Sequence, residues 1–256
     1  MATPAQADPE QAPPRWGAPG TIIWTLLIGA VFIFVQVLVL LVLAQAQHPD
    51  TPLSDIDLTG LESHGGALAL ATLGTTLVVL PLLLLVIKLK RGSSLRDHLA
   101  LAPVSPGTLA FWSGAALALM LVSDLLKWAL GLPVAVDFVV DTYNSMGNPV
   151  IFLISVAVLA PVTEELMFRG FMVSGLQRSR LGSSGAVIFT ALFWAVIHMQ
   201  YGLFDITLIF LLGCLLGASR IVTGSVYPAV AAHMTVNFLS YVLIGMYLAT
   251  QSGAGS

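Results

Sequence analysis

The sequence predicts an all-α, polytopic membrane helical bundle of about seven transmembrane helices, and three observations carry that prediction. Hydrophobic residues make up 57% of the 256 residues and charged residues 9%, against about 25% charged in ordinary soluble domains. A soluble fold of this size has no way to bury so much apolar surface. Thr21–Ala44 contains no ionisable residue, and at ~1.5 Å per residue a helix of that length crosses a ~30 Å hydrocarbon layer. Comparable runs recur to the end of the chain, so the whole reads as one membrane domain and not as a soluble domain with an anchor.

The expected spans are 21–46, 66–88, 107–130, 149–176, 185–201, 204–220 and 228–249. Residues 1–20 are rich in Pro and Ala and carry no apolar face. They read as a disordered cytoplasmic tail, without the basic start and short apolar core of a cleaved signal. The spans over 21–148 read as accessory helices, 149–249 as the chemically active core and 250–256 as a short tail.

Orientation follows from the loops. The 47–65 connection holds four acidic residues and no Lys or Arg. The next holds Lys88, Lys90, Arg91 and Arg96; the loop after that is acidic at Asp137 and Asp141; the following one carries Arg178 and Arg180. Arg15 and Arg220 continue the alternation, which the positive-inside rule reads as an N-terminus in the cytoplasm; the expected location is the plasma membrane. Lys127 falls on the other side, where it is expected to snorkel outward or pair with Asp124, three residues earlier.

Other features bound the function from outside. A net charge of −3 implies no nucleic-acid partner and no strong pull toward anionic lipid, leaving membrane lipids as the surroundings. Cys214 is the single cysteine, so no intrachain disulfide exists, and its apolar context reads as a buried small hydrophobe. Gly213 and Gly217 permit close helix packing, a common signal with no functional content. Asp205, at the start of the sixth span, is expected to cap it. His48, His64 and His98 show no partner and read as solvated loop or interfacial residues.

Ionisable residues in mid-span are costly in a bilayer and mark functional candidates. The fourth span places Glu164 and Glu165 deep in the helix with Arg169 one turn on; the fifth contains Trp194 and His198; the seventh contains His233 and Asn237. Glu165 and Arg169 are i, i+4 in the favourable order for an ion pair. Glu164 is rotated about 100° away, on a stripe with Leu153, Ala157, Ala160, Phe168 and Phe171. Trp194 stands one turn before His198 and can pack on its ring or line the site. His233 and Asn237 share a face.

Depth supports one pairing without reference to any family. With the turn between spans four and five centred near Gly182, Glu164 and His198 fall at nearly the same level, within about 3 Å at the helical rise. A carboxylate and an imidazole so placed could share a water. For His233 the spacing gives no such result, although Gly224 and Pro228 permit a re-entrant connection that would bring it to that level.

The ordered set Glu164-Glu165-x-x-x-Arg169, Trp194-x-x-x-His198 and His233-x-x-x-Asn237, each inside a hydrophobic span, resembles the CAAX prenyl endopeptidase/bacteriocin-processing family, also called Abi. Flanking residues agree: Ala160-Pro161, Phe168-Arg169-Gly170 and Ser225-Val226-Tyr227-Pro228-Ala229. The resemblance covers about residues 149–240, and Trp194 stands where the family usually has Phe.

The resemblance implies an intramembrane endopeptidase acting on a hydrophobic or prenylated peptide. In that reading Glu164, assisted by His198, activates water, which is worth ~10²–10⁴ in rate. His233 and Asn237 would donate to the oxyanion, each worth ~10²–10³, and Glu165 and Arg169 would brace the helix. The favoured scheme needs no cofactor. Its nearest variant uses zinc on Glu164, His198 and His233 with water as fourth ligand, although the sequence has no HExxH. An ion-coupled transporter would predict inverted repeats, which the sequence lacks; a non-catalytic immunity or scaffold protein would have no use for so many costly polar groups.

Overall fold

A computed structural model describes residues 14–52, 55, 60, 61 and 63–253. Regular structure among them is helical throughout. Six helices are long and apolar enough to cross a membrane, and a seventh apolar helix is shorter. The protein is an integral membrane helical bundle.

The first span, α1, is Ala18–Gln47. Its buried positions Thr21, Thr25, Ile28 and Val35 recur at helical spacing and face the bundle, while Ile23, Leu26, Ile33 and Phe34 are exposed, as a lipid-facing surface requires. The helix starts three residues earlier than the expected boundary. The segment before it is tethered, because Trp16 Nε1–H donates to the Val86 carbonyl at 2.9 Å. The rest of the expected tail, 1–13, lies outside the described residues. At the other end the last helix runs on through much of the expected C-terminal tail, to Gly253; 254–256 are outside the description.

Helix α2 is Gly65–Leu89 and pairs with α1. The short α3, Leu95–His98, leads to α4, Pro106–Ala129, capped by the Ser105 hydroxyl. A surface helix α5, Asp137–Asn144, precedes α6, Pro149–Leu176, whose start is capped by Asn148 Oδ1 accepting from Val150 and Ile151 N–H at 3.0 and 3.1 Å. Then come α7, Gly182–Val196; α8, Leu203–Thr223; and α9, Tyr227–Gly253.

Helix α6 is not uniformly α. Ile154–Leu159 and Leu166–Met172 are π-helical and flank the α-helical Ala160–Glu165. Pro161, lacking an N–H, interrupts the α ladder, and single π turns are a recurrent way to absorb such a break near functional residues. Each wider turn shifts the helix phase, so the stripe expected at constant spacing breaks up. Ala160, Glu164 and Phe168 share a cavity wall; Phe171 faces away from it and stacks on His98, ring centroids 5.2 Å apart.

Packing of α7 against α8 depends on small residues. A methyl group at Gly213 would come 3.0 Å from Ala191 Cβ, and one at Gly217 would come 2.7 Å from Val187 Cγ1. The α8–α9 connection turns at Gly224, φ +68°, where a side chain would be strained. It is a tight turn and not the re-entrant stretch that the sequence allowed. Val226 N–H donates to the Ala100 carbonyl at 3.0 Å and the Ser225 hydroxyl to the Ala102 carbonyl at 2.6 Å.

Five local expectations are corrected. Lys127 pairs with Asp205 of α8 and not with Asp124; an ammonium this buried requires a full counter-charge, and the facing helix supplies one. Asp205 is therefore not the cap of α8. Gly202 holds that position, and Asp205 sits in the first turn, where its charge suits the helix dipole. His98 is not solvated: it is fully buried, with Nδ1 3.2 Å from the Ser93 hydroxyl. His64 caps α2, its Nδ1 accepting from Ala67 N–H. Cys214 is half-buried.

Candidate active site

Two carboxylates adjacent in sequence meet opposite environments. Glu165 is fully buried. Its Oε1 accepts from Arg169 Nη1–H at 2.9 Å and lies 3.0 Å from His233 Nδ1. Arg169, also fully buried, spends a second donor on the Gly213 carbonyl at 3.1 Å and lies over the Trp194 ring, 4.7 Å from its centroid. A charge this deep is tolerable only when paired and hydrogen-bonded, and this cluster of α6, α8 and α9 groups meets that condition. The expected Glu165–Arg169 pair is present; its third member, His233, was not foreseen in that role.

Glu164 turns the other way and lines a cavity. Its Oε2 accepts from Trp194 Nε1–H at 2.6 Å. The backbone carbonyl of the same Trp194 is 2.7 Å from His198 Nδ1, and the Trp194 and His198 rings meet edge to face at 5.0 Å. Trp194 therefore stands between the two groups expected to share a water, joining both. His198 itself lies just past the end of α7, in a turn where its N–H donates to the Ala195 carbonyl. With Nδ1 donating to a carbonyl, the ring's Nε2 is the nitrogen left to accept a proton.

His233 and Asn237 line the same cavity as Glu164, Trp194 and His198. His233 packs edge to face on Trp194 at 5.2 Å, so the seventh span does reach the level of the carboxylates. The tight α8–α9 turn achieves this, since His233 is only the second turn of α9. Asn237 donates one amide hydrogen to the Val156 carbonyl at 2.9 Å, which fixes the side chain and leaves its second hydrogen and its carbonyl oxygen. The Val156 carbonyl belongs to the first π stretch, where the altered ladder has a carbonyl to spare.

Two contributors escaped the sequence reading. Gly213 was seen only as a packing residue, yet its carbonyl holds Arg169; the small-residue pair was the available signal. Thr163, beside Glu164 on the cavity wall, shares a hydrogen bond with Thr76 of α2 at 3.2 Å, which ties α2 to the site.

Zinc is implied by the variant scheme, and the donor set bears on it. Among the described residues no group of three His, Cys, Asp or Glu side chains converges where an ion could be held. His233 Nδ1 and one Glu164 oxygen are already engaged by protein partners, which leaves His233 Nε2 and the second Glu164 oxygen as the donors on those two residues. The residues present do not fit a three-ligand zinc site as they stand.

Residues 146–239 match the family model described as type II CAAX prenyl endopeptidase Rce1-like. A curated relative, an uncharacterized 24.3 kDa protein of Escherichia coli, is 33% identical over 135 residues, covering 50% of this chain and 61% of that one. The chain thus spans less than two thirds of that relative's length. No solved structure matches. The matched stretch runs from α6 to the first half of α9, and there this chain is similar to the Rce1-like family.

Proposed function

We propose that this chain is an intramembrane endopeptidase in which Glu164 activates the attacking water. The observation that carries this reading is the division of labour between the carboxylates: Glu165 is consumed by Arg169 and His233, while Glu164 faces an open cavity with a single N–H donor on one oxygen. Trp194 holds that oxygen, and the other is free to take a proton from water. The water oxygen attacks the peptide carbonyl carbon, and the resulting oxyanion accepts from the second Asn237 amide hydrogen, with His233 Nε2–H as partner when that ring is doubly protonated. The C–N bond then breaks, and the leaving amine takes the proton that Glu164 had removed. His198, anchored through Trp194, orients the water. General-base help of this kind contributes ~10²–10⁴ in rate and each oxyanion donor ~10²–10³.

The likeness of residues 146–239 to type II CAAX prenyl endopeptidases supports hydrolysis of a peptide bond at the membrane. The substrate proposed is a hydrophobic or prenylated peptide segment, in a plasma-membrane protein whose N-terminus is cytoplasmic.

The test is cleavage of quenched hydrophobic peptides, prenylated and unprenylated, by purified protein before and after exhaustive chelation. Cleavage by the native chain that survives chelation and vanishes in Glu164→Gln is the expected result. Activity in Glu164→Gln overturns the assignment of the base, and activity lost to chelator and restored by zinc replaces the water-activation scheme with the metal variant.

A further inference from the structure

Outside the cavity, positive charge gathers at one end of the bundle with little to oppose it. Eight of the ten Lys and Arg residues, all but Lys127 and Arg169, belong to the segments at this end, the side that positive charge marks as cytoplasmic. Among the described residues Asp97 is the one carboxylate there. The net charge of −3 is a property of the whole chain and hides this local excess.

Four of the groups at this end come together. Arg15 precedes α1, His98 ends α3, Arg178 follows α6 and Arg220 is in the last turn of α8. Arg220 is 5% exposed, and its Nη2–H donates to the Ser174 hydroxyl of α6 at 3.2 Å. Burial lowers the Arg15 guanidinium below its ordinary value, Arg178 adds to that, and Asp97 offsets part of it. Arg15 and Arg178 also act on His98, and Arg15 acts on Arg220, so these groups feel one another's charge. No carboxylate among the described residues forms an ion pair with any of the three arginines. The shortage of acceptors shows atom by atom: Arg15 Nε, Arg220 Nε and His98 Nε2 are buried without a hydrogen-bond partner among the described residues. His98 stacks on Phe171 in a packed layer with Leu99 and Met172, each at most 2% exposed, about 10 Å along α6 from Glu164 at the helical rise. The C-terminal ends of α6 and α8 lie beside these cations, each equivalent to about half a negative charge. Most of the excess is left, and a buried cation without a counter-charge is costly.

The surroundings specify the anion. Trp16, next to Arg15, donates its indole N–H to the Val86 carbonyl and lies 5.3 Å under the Lys90 ammonium. An indole and an ammonium at the end of the spans mark the level of the lipid headgroups. Arg15 is half-buried and Arg178 exposed, so an anion at the surface meets their outer N–H groups while Arg220 lies behind and adds its field. Beyond Trp16, the exposed Ile22, Ile23 and Leu26 of α1 lead into the apolar layer and give acyl chains a wall to lie against.

We infer that Arg15, Arg178 and Arg220 form a site for the phosphate group of an anionic phospholipid in the cytoplasmic leaflet. Guanidinium groups hold phosphate oxygens through paired N–H donors, and basic pockets between helices on this side of a membrane take such headgroups. The bound lipid ties the segment before α1 to the ends of α6 and α8. The site does not depend on the endopeptidase reading.

The test is melting of the purified chain in a neutral detergent with added dihexanoyl phosphatidylglycerol, dihexanoyl phosphatidylcholine or inorganic phosphate. Phosphatidylglycerol is expected to raise the melting midpoint saturably, by about 3–6 °C at ten times the half-saturating concentration, and phosphatidylcholine to leave it unchanged. Inorganic phosphate, without acyl chains, is expected to give a smaller rise; an equal one assigns the site to free phosphate and overturns the lipid. Arg178→Gln, at an exposed position, should raise the half-saturating concentration about tenfold. The double variant with Arg15→Gln should melt no lower than the unsubstituted chain in neutral micelles and lose the response to phosphatidylglycerol. Arg180→Gln is the control, exposed in the same loop but not among the charges acting on Arg15, His98 or Arg220, and should keep the full response. No rise in the unsubstituted chain, or an undiminished rise in Arg178→Gln and the double variant, overturns the inference. So does a loss in Arg180→Gln equal to that in Arg178→Gln, which would mark a diffuse surface effect.

Discussion

The two faces of α6 make different use of the same chemistry. On the packed face, Glu165, Arg169 and His233 close on one another, with the Gly213 carbonyl absorbing a further donor, and they are all but sealed from solvent. On the cavity face, Glu164 has one hydrogen-bond partner among the described residues, and the groups around it, His198 and Asn237, are fixed through backbone carbonyls that leave each a free polar atom. Saturation holds the helices together and incomplete pairing leaves groups for a reaction. One residue step along α6 separates the two outcomes, and Trp194 touches both, its ring under Arg169 and its N–H on Glu164.

That contrast can be broken from either face. Glu164→Gln removes the base while keeping the shape, so peptide cleavage should fall ~10²–10⁴-fold with an unchanged thermal midpoint in detergent. A matching loss of stability would mean that Glu164 belongs to the packed face after all. Arg169→Met should do the reverse first: stranding a buried carboxylate costs about 3–5 kcal/mol, read as a lowered melting temperature. The double variant with Glu165→Gln should recover part of that loss, and a double variant no better than the single would sink the idea of a coupled cluster.

The packed layer below the site should also respond to pH through His98. Burial, with Arg15 and Arg178 nearby adding to it, lowers that imidazole from 6.5 to about 4. The unfolded chain therefore binds the proton first as pH falls. The stabilisation is whole above about 6.5 and is lost progressively as pH drops toward 4, an effect on the order of 2 kcal/mol. Melting curves across that range should flatten in His98→Phe. The smallest effect expected is from Trp194→Phe, which deletes one hydrogen bond to a carboxylate, about 1.5 kcal/mol or roughly tenfold in rate. An undiminished rate would show that the indole N–H only fills space.

What the sequence made legible was whatever hydropathy and helical spacing encode directly. Seven apolar runs forecast seven apolar helices, the Glu165–Arg169 pair followed from i, i+4 order, and the hairpin depth argument put Glu164 and His198 on one cavity. The rest depends on relations between helices that no spacing rule carries. The partner of Lys127 is Asp205, on another helix, and the near neighbour Asp124 was the obvious but incorrect choice. His98 reads as interfacial until α6 brings Phe171 to stack on its ring. The π turns leave no residue signature beyond Pro161, so a stripe drawn at constant pitch failed beyond them. His233 was expected to serve the cavity alone, and its Nδ1 instead completes the Glu165 cluster.

The shortness of α7 carries its own consequence. Fifteen residues span only about 22 Å, some 8 Å less than a typical hydrocarbon slab, and the shortfall falls at the end where His198 and Tyr201 sit. Lipid around this helix must thin, or headgroups and their hydration must descend toward the imidazole. Each ångström of that deformation costs a fraction of a kcal/mol, so acyl-chain length becomes a dial on the supply of water to the interior of this protein.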